Sequence, residues 1–418
     1  MSNKAKNEMP GGLKPVQSVE LSESHFKLRW LLVGAFVVLA LVAFGVAVNG
    51  LLTTDSGWTE IEVSTRELHC GEDFIFSYCL GEGELSPTKE KKQIRELYSQ
   101  CAVTAYRLFQ ANEDFEGVVN LHTLNQNPNQ AFTVDPVLYN ALLQAEQSGG
   151  RLVYLGALAE EYRKEFFMQS ESVSVEEDPL KNAEYAAFCK EVADYANDPQ
   201  SVQLELGENY TVTLRVSEEY LTFARDNDLS AFVELHRMKN AFIIDYFAQQ
   251  MMENGFTKGC ISSCDGYVRN LDNSNTPYSI NLFHLRGVEI FPAARMEYAG
   301  VRAIVSMRGY PMGERDSLSY CILPNETIIT PYLNRETGLY AAASSELVSY
   351  SETDGCAALV LKLWSIYTAE ALDTEVLNST GFSWVWIDET VIRTNDSNLI
   401  LKELYEDDEV IFTADIPS

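Results

Sequence analysis

The chain has 418 residues, 46% of them hydrophobic, which is enough to bury one large core or two medium ones and excludes a disordered or fibrous protein. Its 31 basic and 61 acidic side chains give a formal charge of −30, a field that repels phosphate backbones and anionic headgroups. Nucleic acid is therefore not an expected partner.

Residues 1–29 mix Lys, Asn, Ser, Gly and Pro without apolar periodicity and read as a flexible cytoplasmic tail. The run from Trp30 to Leu52, "WLLVGAFVVLALVAFGVAVNGLL", carries no charge and is long enough to cross about 30 Å of hydrocarbon as a helix. Lys4, Lys6, Lys14, Lys27 and Arg29 precede it, and the first charge after it is Asp55. By the positive-inside rule the tail stays in the cytoplasm and the rest lies outside, held at the cell membrane by one helix. A secretory signal peptide is the competing reading, but its apolar core of about 7–15 residues is shorter than this run.

Residues 53–67 read as a polar stalk, and residues 68–418 as one extracytoplasmic domain. Its first piece, "CGEDFIFSYCLGEGELS" from Cys70, alternates Phe74, Phe76 and Tyr78 as a strand does before a glycine turn. The spacing of Ile94, Leu97, Tyr98, Cys101, Ala105, Leu108 and Phe109 predicts a long amphipathic helix. Asp135 then caps a helix opened by Pro136 and stopped at Gly149 and Gly150. Further helices are expected at Glu160–Phe167, over "YAAFCKEVADYA", and over "NAFIIDYFAQQMMENG", ending at Gly255.

Strands are expected at "VQLELG" and "TVTLRVS", joined by "ENY", then across "TKGCISSCDGYVRNLD", "YSINLFHL" and "TIIT". Asp354 is expected to cap the helix "GCAALVLKLWSIYTAEAL", and "SWVWIDETVIRT" to form a strand pair turned at Asp388–Glu389. Irregular alternation of strands and helices without an internal repeat argues for an α+β domain, a sheet packed by helices.

All eight cysteines, Cys70, Cys79, Cys101, Cys189, Cys260, Cys264, Cys321 and Cys356, fall in the expected extracytoplasmic part, where disulfides are chemically allowed. Cys101 and Cys356 lie on apolar helix faces, so at most one or two bridges are expected. Cys260 and Cys264 are close, but no second His-bearing pair completes a zinc site. The dispersed histidines, and the lack of G-x-S-x-G, H-E-x-x-H, a P-loop or a dinucleotide fingerprint, leave no rival catalytic constellation.

The order of pieces "VVNLHTLNQNPNQAFTVDPVLYNALLQAEQSGG", "VYLGALAEEY", "IIDYFAQQMMENGFTKGCISSCDGYV", "TPYLNRETG" and "DGCAALVLKLWS" resembles the FAD:protein FMN transferase family, also called ApbE or thiamine biosynthesis lipoproteins. The resemblance spans about residues 68–395, in order and spacing more than identity. It implies an ApbE-like flavin transferase fold with FAD in a groove, and an activity that moves FMN onto a threonine of an exported flavoprotein with magnesium on the pyrophosphate. That chemistry needs oxygen ligands for the cation.

Matched residue by residue, the motifs depart from that pattern. In the loop "H-x-I-D-P-x-T-G" the histidine becomes Pro331, the aspartate Asn334 and the proline Arg335, while Thr337 and Gly338 remain. The metal-ligand pair of "A-D-A-L-x-T-A" falls on Ala357 and Leu361, which cannot bind a hard cation. Asp354, one turn earlier, is the substitute ligand within reach; its other role is the helix cap. In "G-G-I-A-K-G", counting back from Asp245 places Asn240 at the lysine, with Lys239 one position off. The resemblance implies flavin contacts at Asn334, Thr337 and Gly338 of that loop and at Asp265, Gly266 and Gly156, whereas Tyr154 and Trp364 are bulky enough to fill a groove.

The resemblance thus implies a membrane-tethered, flavin transferase-like domain with lapsed catalysis, binding FAD, another flavin or a flavoprotein, with magnesium left without ligands. A working transferase with rebuilt ligands is the alternative, and an adhesion role a third.

Overall fold

The computed structural model describes residues 54–65, 69–169, 172–406 and 410–417. The predicted cytoplasmic tail and membrane anchor lie outside the described residues. Among the described residues no helix is long and apolar enough to cross a membrane.

The stretch read as a stalk is in part a strand. Gly57–Glu60 (β1) pairs antiparallel with Phe74–Leu80 (β2), setting Trp58 opposite Cys79, and Ile61 just beyond is buried. Trp58 and Thr59 are residue types that favour strands, and pairing with β2 extends the sheet by one edge. Residues 70–73 form a turn rather than strand, and the alternation of Phe76, Tyr78 and Leu80 into the core begins only in β2.

The main sheet continues from β2 through Gly259–Ser263 (β6), Tyr267–Asn270 (β7), Arg302–Arg308 (β10), Glu346–Ser351 (β13), Ser383–Asp388 (β14) and Val391–Thr394 (β15) to Thr413–Asp415 (β17). Every neighbouring pair is antiparallel except β15 with β17, which is parallel. The β14–β15 register pairs Asp388 with Val391, so the turn is Glu389–Thr390, one residue later than expected. Glu389 takes the positive φ of 53° that the tight turn requires.

Helices cover one face of this sheet. Pro87–Leu108 (α1) opens with proline after Ser86 and buries Ile94, Tyr98, Cys101, Ala105 and Leu108, the face its periodicity predicts. It packs on Lys239–Glu253 (α7), and α7 packs on β6, β7 and Cys356–Tyr367 (α9). α9 stops at Tyr367, short of the predicted end. Asp354 does not cap it: its carboxylate accepts from the hydroxyls of Ser351 and Thr353, and the capping position is Gly355.

The cap comes from another helix. Asp245 of α7 accepts from the backbone N–H groups of Cys356 (3.0 Å) and Ala357 (2.9 Å), and Arg269 of β7 donates to it at 2.6 Å. A side chain at position 355 would overlap that carboxylate, so the close approach requires glycine there.

A second core lies on the other face. Tyr278–Arg286 (β8), Glu289–Tyr298 (β9) and Ile400–Lys402 (β16) form a small sheet whose Leu282, Ala294 and Met296 meet Ile304, Val348, Val385, Ile387 and Ile392 of the main sheet. Ala131–Thr133 (β3), Val202–Leu206 (β4) and Thr211–Val216 (β5) make a third sheet, β4–β5 being the predicted hairpin.

Around it lie Leu121–Gln126 (α2), Pro136–Gln147 (α3), Gly156–Tyr162 (α4), Ala183–Asn197 (α5) and Glu218–Asp226 (α6). Asp135 caps α3 through the Val137 N–H at 2.8 Å, as expected. The chain between β10 and β13 carries Glu314–Ser317 (α8) and the pair Cys321–Ile322 (β11) with Ile328–Ile329 (β12), and Thr374–Ser379 (α10) follows α9. Cys101 and Cys356 are free thiols buried on their helices.

Candidate functional site

The segment leading into α7 builds the centre of the molecule. Glu234 is held by Arg163 of the α4 end at 2.5 Å, and His236 follows with a φ of 29°, a backbone region rarely used by residues with a side chain. His236 and Arg237 occupy the two glycine positions of the motif matched in the sequence, so both bring bulk where that pattern has none. The His236 ring meets Trp364 of α9 edge to face at 5.3 Å, and burial, reinforced by Arg163 and Arg237, pushes its pKa down to about 3.

Arg237 is fully enclosed. Its guanidinium donates to Asp316 of α8 at 2.6 Å and to the Tyr320 hydroxyl at 3.2 Å, and Arg308 of β10 reaches the same Asp316 carboxylate at 3.4 Å. Arg237 and Asp316 are 4% and 1% exposed, so neither charge is screened by water. Burial opposes the Arg237 charge, while Tyr320, Tyr332 and Asp316 hold it protonated. Below it, Asp265 accepts from Ser263 (2.6 Å) and Asn240 (3.1 Å), its pKa raised by burial against the pull of Arg237.

Two cavities of about 220 and 200 Å³ meet here, sharing Asp73, Lys239, Asn240 and Arg315 in their walls. The first is polar, with Arg163, Glu234, His236, Arg237, Asp265 and Asp316 in its lining, and the second carries Phe74, Tyr106, Phe109 and Phe247. Arg315 pairs with Glu72 and Asp73, whereas Lys239 makes no ion pair with any described residue. Within the first cavity's walls, Glu234 Oε2, His236 Nε2, Arg237 Nε and Asn240 Oδ1 are buried without a hydrogen-bond partner among the described residues. Buried polar atoms in that condition cost about 1–3 kcal/mol each.

Of the residues singled out in the sequence, Asp265, Lys239, Asn240 and Pro331 lie at the first cavity, whereas Asn334, Thr337, Gly338, Gly266, Gly156, Asp354, Ala357 and Leu361 do not line it. Asn334 folds its own loop, accepting from the N–H groups of Glu336 (2.9 Å) and Thr337 (3.1 Å) and donating to the Thr368 carbonyl (2.8 Å). Thr337 is exposed, and Gly338, at φ 70°, lies against the Cys189 carbonyl of α5. Asn334 lines a separate surface hollow with Gly150, Arg335 and Leu361; from that loop only Pro331 and Leu333 reach the first cavity.

Gly266 and Gly156 are also explained by neighbouring backbone. A side chain at 266 would meet the Ser306 carbonyl of β10, and one at 156 the Ala231 carbonyl at 2.5 Å, so each glycine admits another chain segment and not a ligand. Tyr154 fills no groove: it donates to Glu146 at 2.6 Å and accepts from the Leu204 N–H of β4 at 2.7 Å. Ala357 and Leu361 are buried. No group of three His, Cys, Asp or Glu side chains is gathered for a metal among the described residues.

Glu234, His236, Arg237, Arg163, Arg315 and Asp316 were not singled out from the sequence as site residues. The available signal was "ELHRMKN", polar and cationic residues set in an otherwise apolar run, which a packed helix start has little reason to carry.

No family model and no curated protein sequence matches the chain. Solved structures do, and they place the described domain among flavin transferase folds. The ApbE protein of Thermotoga maritima superposes with a TM-score of 0.54, at 13% identity over 80% of this chain and 94% of that one. The flavin transferase ApbE of Vibrio cholerae superposes with a TM-score of 0.51, at 13% identity over 80% of this chain and 95% of that one. The fold is the ApbE fold, as the order of motifs implied.

Proposed function

We propose that the chain is a membrane-anchored, extracytoplasmic ApbE-fold module that binds a flavin mononucleotide and does not transfer it. The observation that carries this reading is the Arg237 guanidinium, locked to Asp316 in the position where the matched motif has glycine. In this reading the guanidinium leaves less room for a dinucleotide than a glycine would. The two adjoining cavities suit a smaller ligand, a phosphate beside Lys239 in the polar one and a ring among Phe74, Tyr106, Phe109 and Phe247 in the other.

The residues present do not fit magnesium. Ala357 and Leu361 offer no oxygen, and the Asp354 carboxylate is taken up by two neighbouring hydroxyls. Placement outside the cytoplasm rests on the apolar run from Trp30 to Leu52 and the basic residues before it. An exported flavoprotein is the partner in keeping with the fold.

Titration of the full chain with FMN and FAD, followed by flavin fluorescence, tests the binding. FMN is expected to bind at least tenfold more tightly than FAD, and Lys239→Met to weaken FMN about tenfold, since a charge-assisted bond contributes about 1.5–3 kcal/mol. Incubation with FAD, magnesium and a threonine-bearing acceptor is expected to leave the acceptor unmodified. Covalent flavin on the acceptor would instead establish a working transferase with rebuilt ligands.

A further inference from the structure

The lining of the polar cavity carries Arg163, Arg237, Lys239 and Arg315, and their partners set them apart. Arg237 is locked to Asp316, whose side chain is 1% exposed, and Arg163 to Glu234, whose side chain is 11% exposed. Neither cation leaves its carboxylate readily, because the charge left behind would be poorly screened.

Arg315 differs. It lines the polar and the aromatic cavity alike, and its partners Glu72 and Asp73 are 38% and 36% exposed. The adjoining Asp316 turns inward to Arg237 and Arg308, which fixes the backbone beneath Arg315, while the Arg315 side chain reaches across 242 residues of sequence to the turn before β2. Ion pairs with that much water around them contribute about fivefold or less to an equilibrium. Glu72 also keeps a second partner, since His69 Nδ1 lies 2.6 Å from its other carboxylate oxygen. Lys239, in the same two cavity walls, makes no ion pair with any described residue.

We propose that Arg315 is a phosphate-binding residue held in reserve by Glu72 and Asp73: a phosphomonoester entering beside Lys239 displaces the two carboxylates and engages the guanidinium. The exchange replaces a screened contact by a dianion that accepts two parallel N–H bonds from the planar fork, with the Lys239 ammonium as the second cation. Arg315 thereby selects a phosphorylated ligand over the same ring system without its phosphate. The inference rests on the mononucleotide reading for the ring, and on the cavity's own cations for the phosphate.

Phosphorus NMR titration with inorganic phosphate, and flavin fluorescence titration with FMN and riboflavin, test the exchange on the full chain. Arg315→Met is expected to weaken phosphate and FMN about tenfold. Glu72→Gln with Asp73→Asn keeps the side-chain shapes, removes the competing charges, and is expected to tighten both about threefold to fivefold. Riboflavin should respond to neither change. In the triple variant the gain from removing the carboxylates should vanish, because no guanidinium remains for them to release. A gain that survives there reports the general field alone and overturns the proposal, as does an unchanged phosphate affinity in Arg315→Met or the absence of phosphate binding to the wild-type chain. Phosphate that follows the expected pattern while FMN fails to bind upholds the role of Arg315 and overturns the mononucleotide reading instead.

Discussion

Replacing His236 by asparagine should remove part of the acid sensitivity of the fold. In the folded protein burial and two neighbouring guanidinium groups hold the imidazole pKa down to about 3, against an ordinary value of 6.5. The unfolded chain therefore takes up a proton below pH 6.5 that the folded chain refuses, so stability is complete above 6.5 and declines as pH falls towards 3.

One pKa unit corresponds to about 1.4 kcal/mol, so by pH 5 this single group costs about 2 kcal/mol, a sizeable part of a net stability of roughly 5–15 kcal/mol. Asparagine tolerates the positive φ at this position and does not titrate. Urea unfolding of both proteins at pH 7 and pH 5, followed by tryptophan fluorescence, gives the double difference, in which all other titrating groups cancel. A loss of stability between the two pH values that is as large in His236→Asn as in the wild type refutes the reasoning.

Arg237→Ala should destabilise the domain by about 3–5 kcal/mol in the same urea assay, because it strips the nearer partner from a buried carboxylate that Arg308 reaches only at 3.4 Å. Gly355→Ala should cost about 1–3 kcal/mol through overlap with the Asp245 carboxylate. The penalty should nearly vanish in an Asp245→Ala background, a coupling that a double-mutant cycle measures directly.

Much of the framework was legible because its signals were local. The periodicity from Ile94 to Leu108, the Asp135–Pro136 start and the alternation of Phe74, Phe76 and Tyr78, the last two of them buried, were legible through spacing alone, and the order of motifs led to the right fold. The centre of the site was less legible. Arg237 finds Asp316 across 79 residues, and Asp245 closes α9 across 111, so neither partnership leaves a mark in its own neighbourhood.

The opposite failure occurred at Gly156, Gly266 and Gly338. Each read as an approach for a ligand, and each proved to admit a neighbouring carbonyl, because sequence shows that a side chain is missing but not what fills the space. β1 was passed over because four residues carry too little pattern to announce a strand; its partner in β2 supplies what the segment lacks.

The final two strands stitch the layers together. β16 belongs to the small sheet and β17 to the large one, and Phe412, just before β17, is buried in the second core that the two sheets enclose. A growing polypeptide reaches Phe412 and β17 after every other described element has been made. Until then the second core lacks one of its buried aromatic rings, although the Phe283 N–H of β8 already has the Glu346 carboxylate of β13 to join the sheets at 2.7 Å.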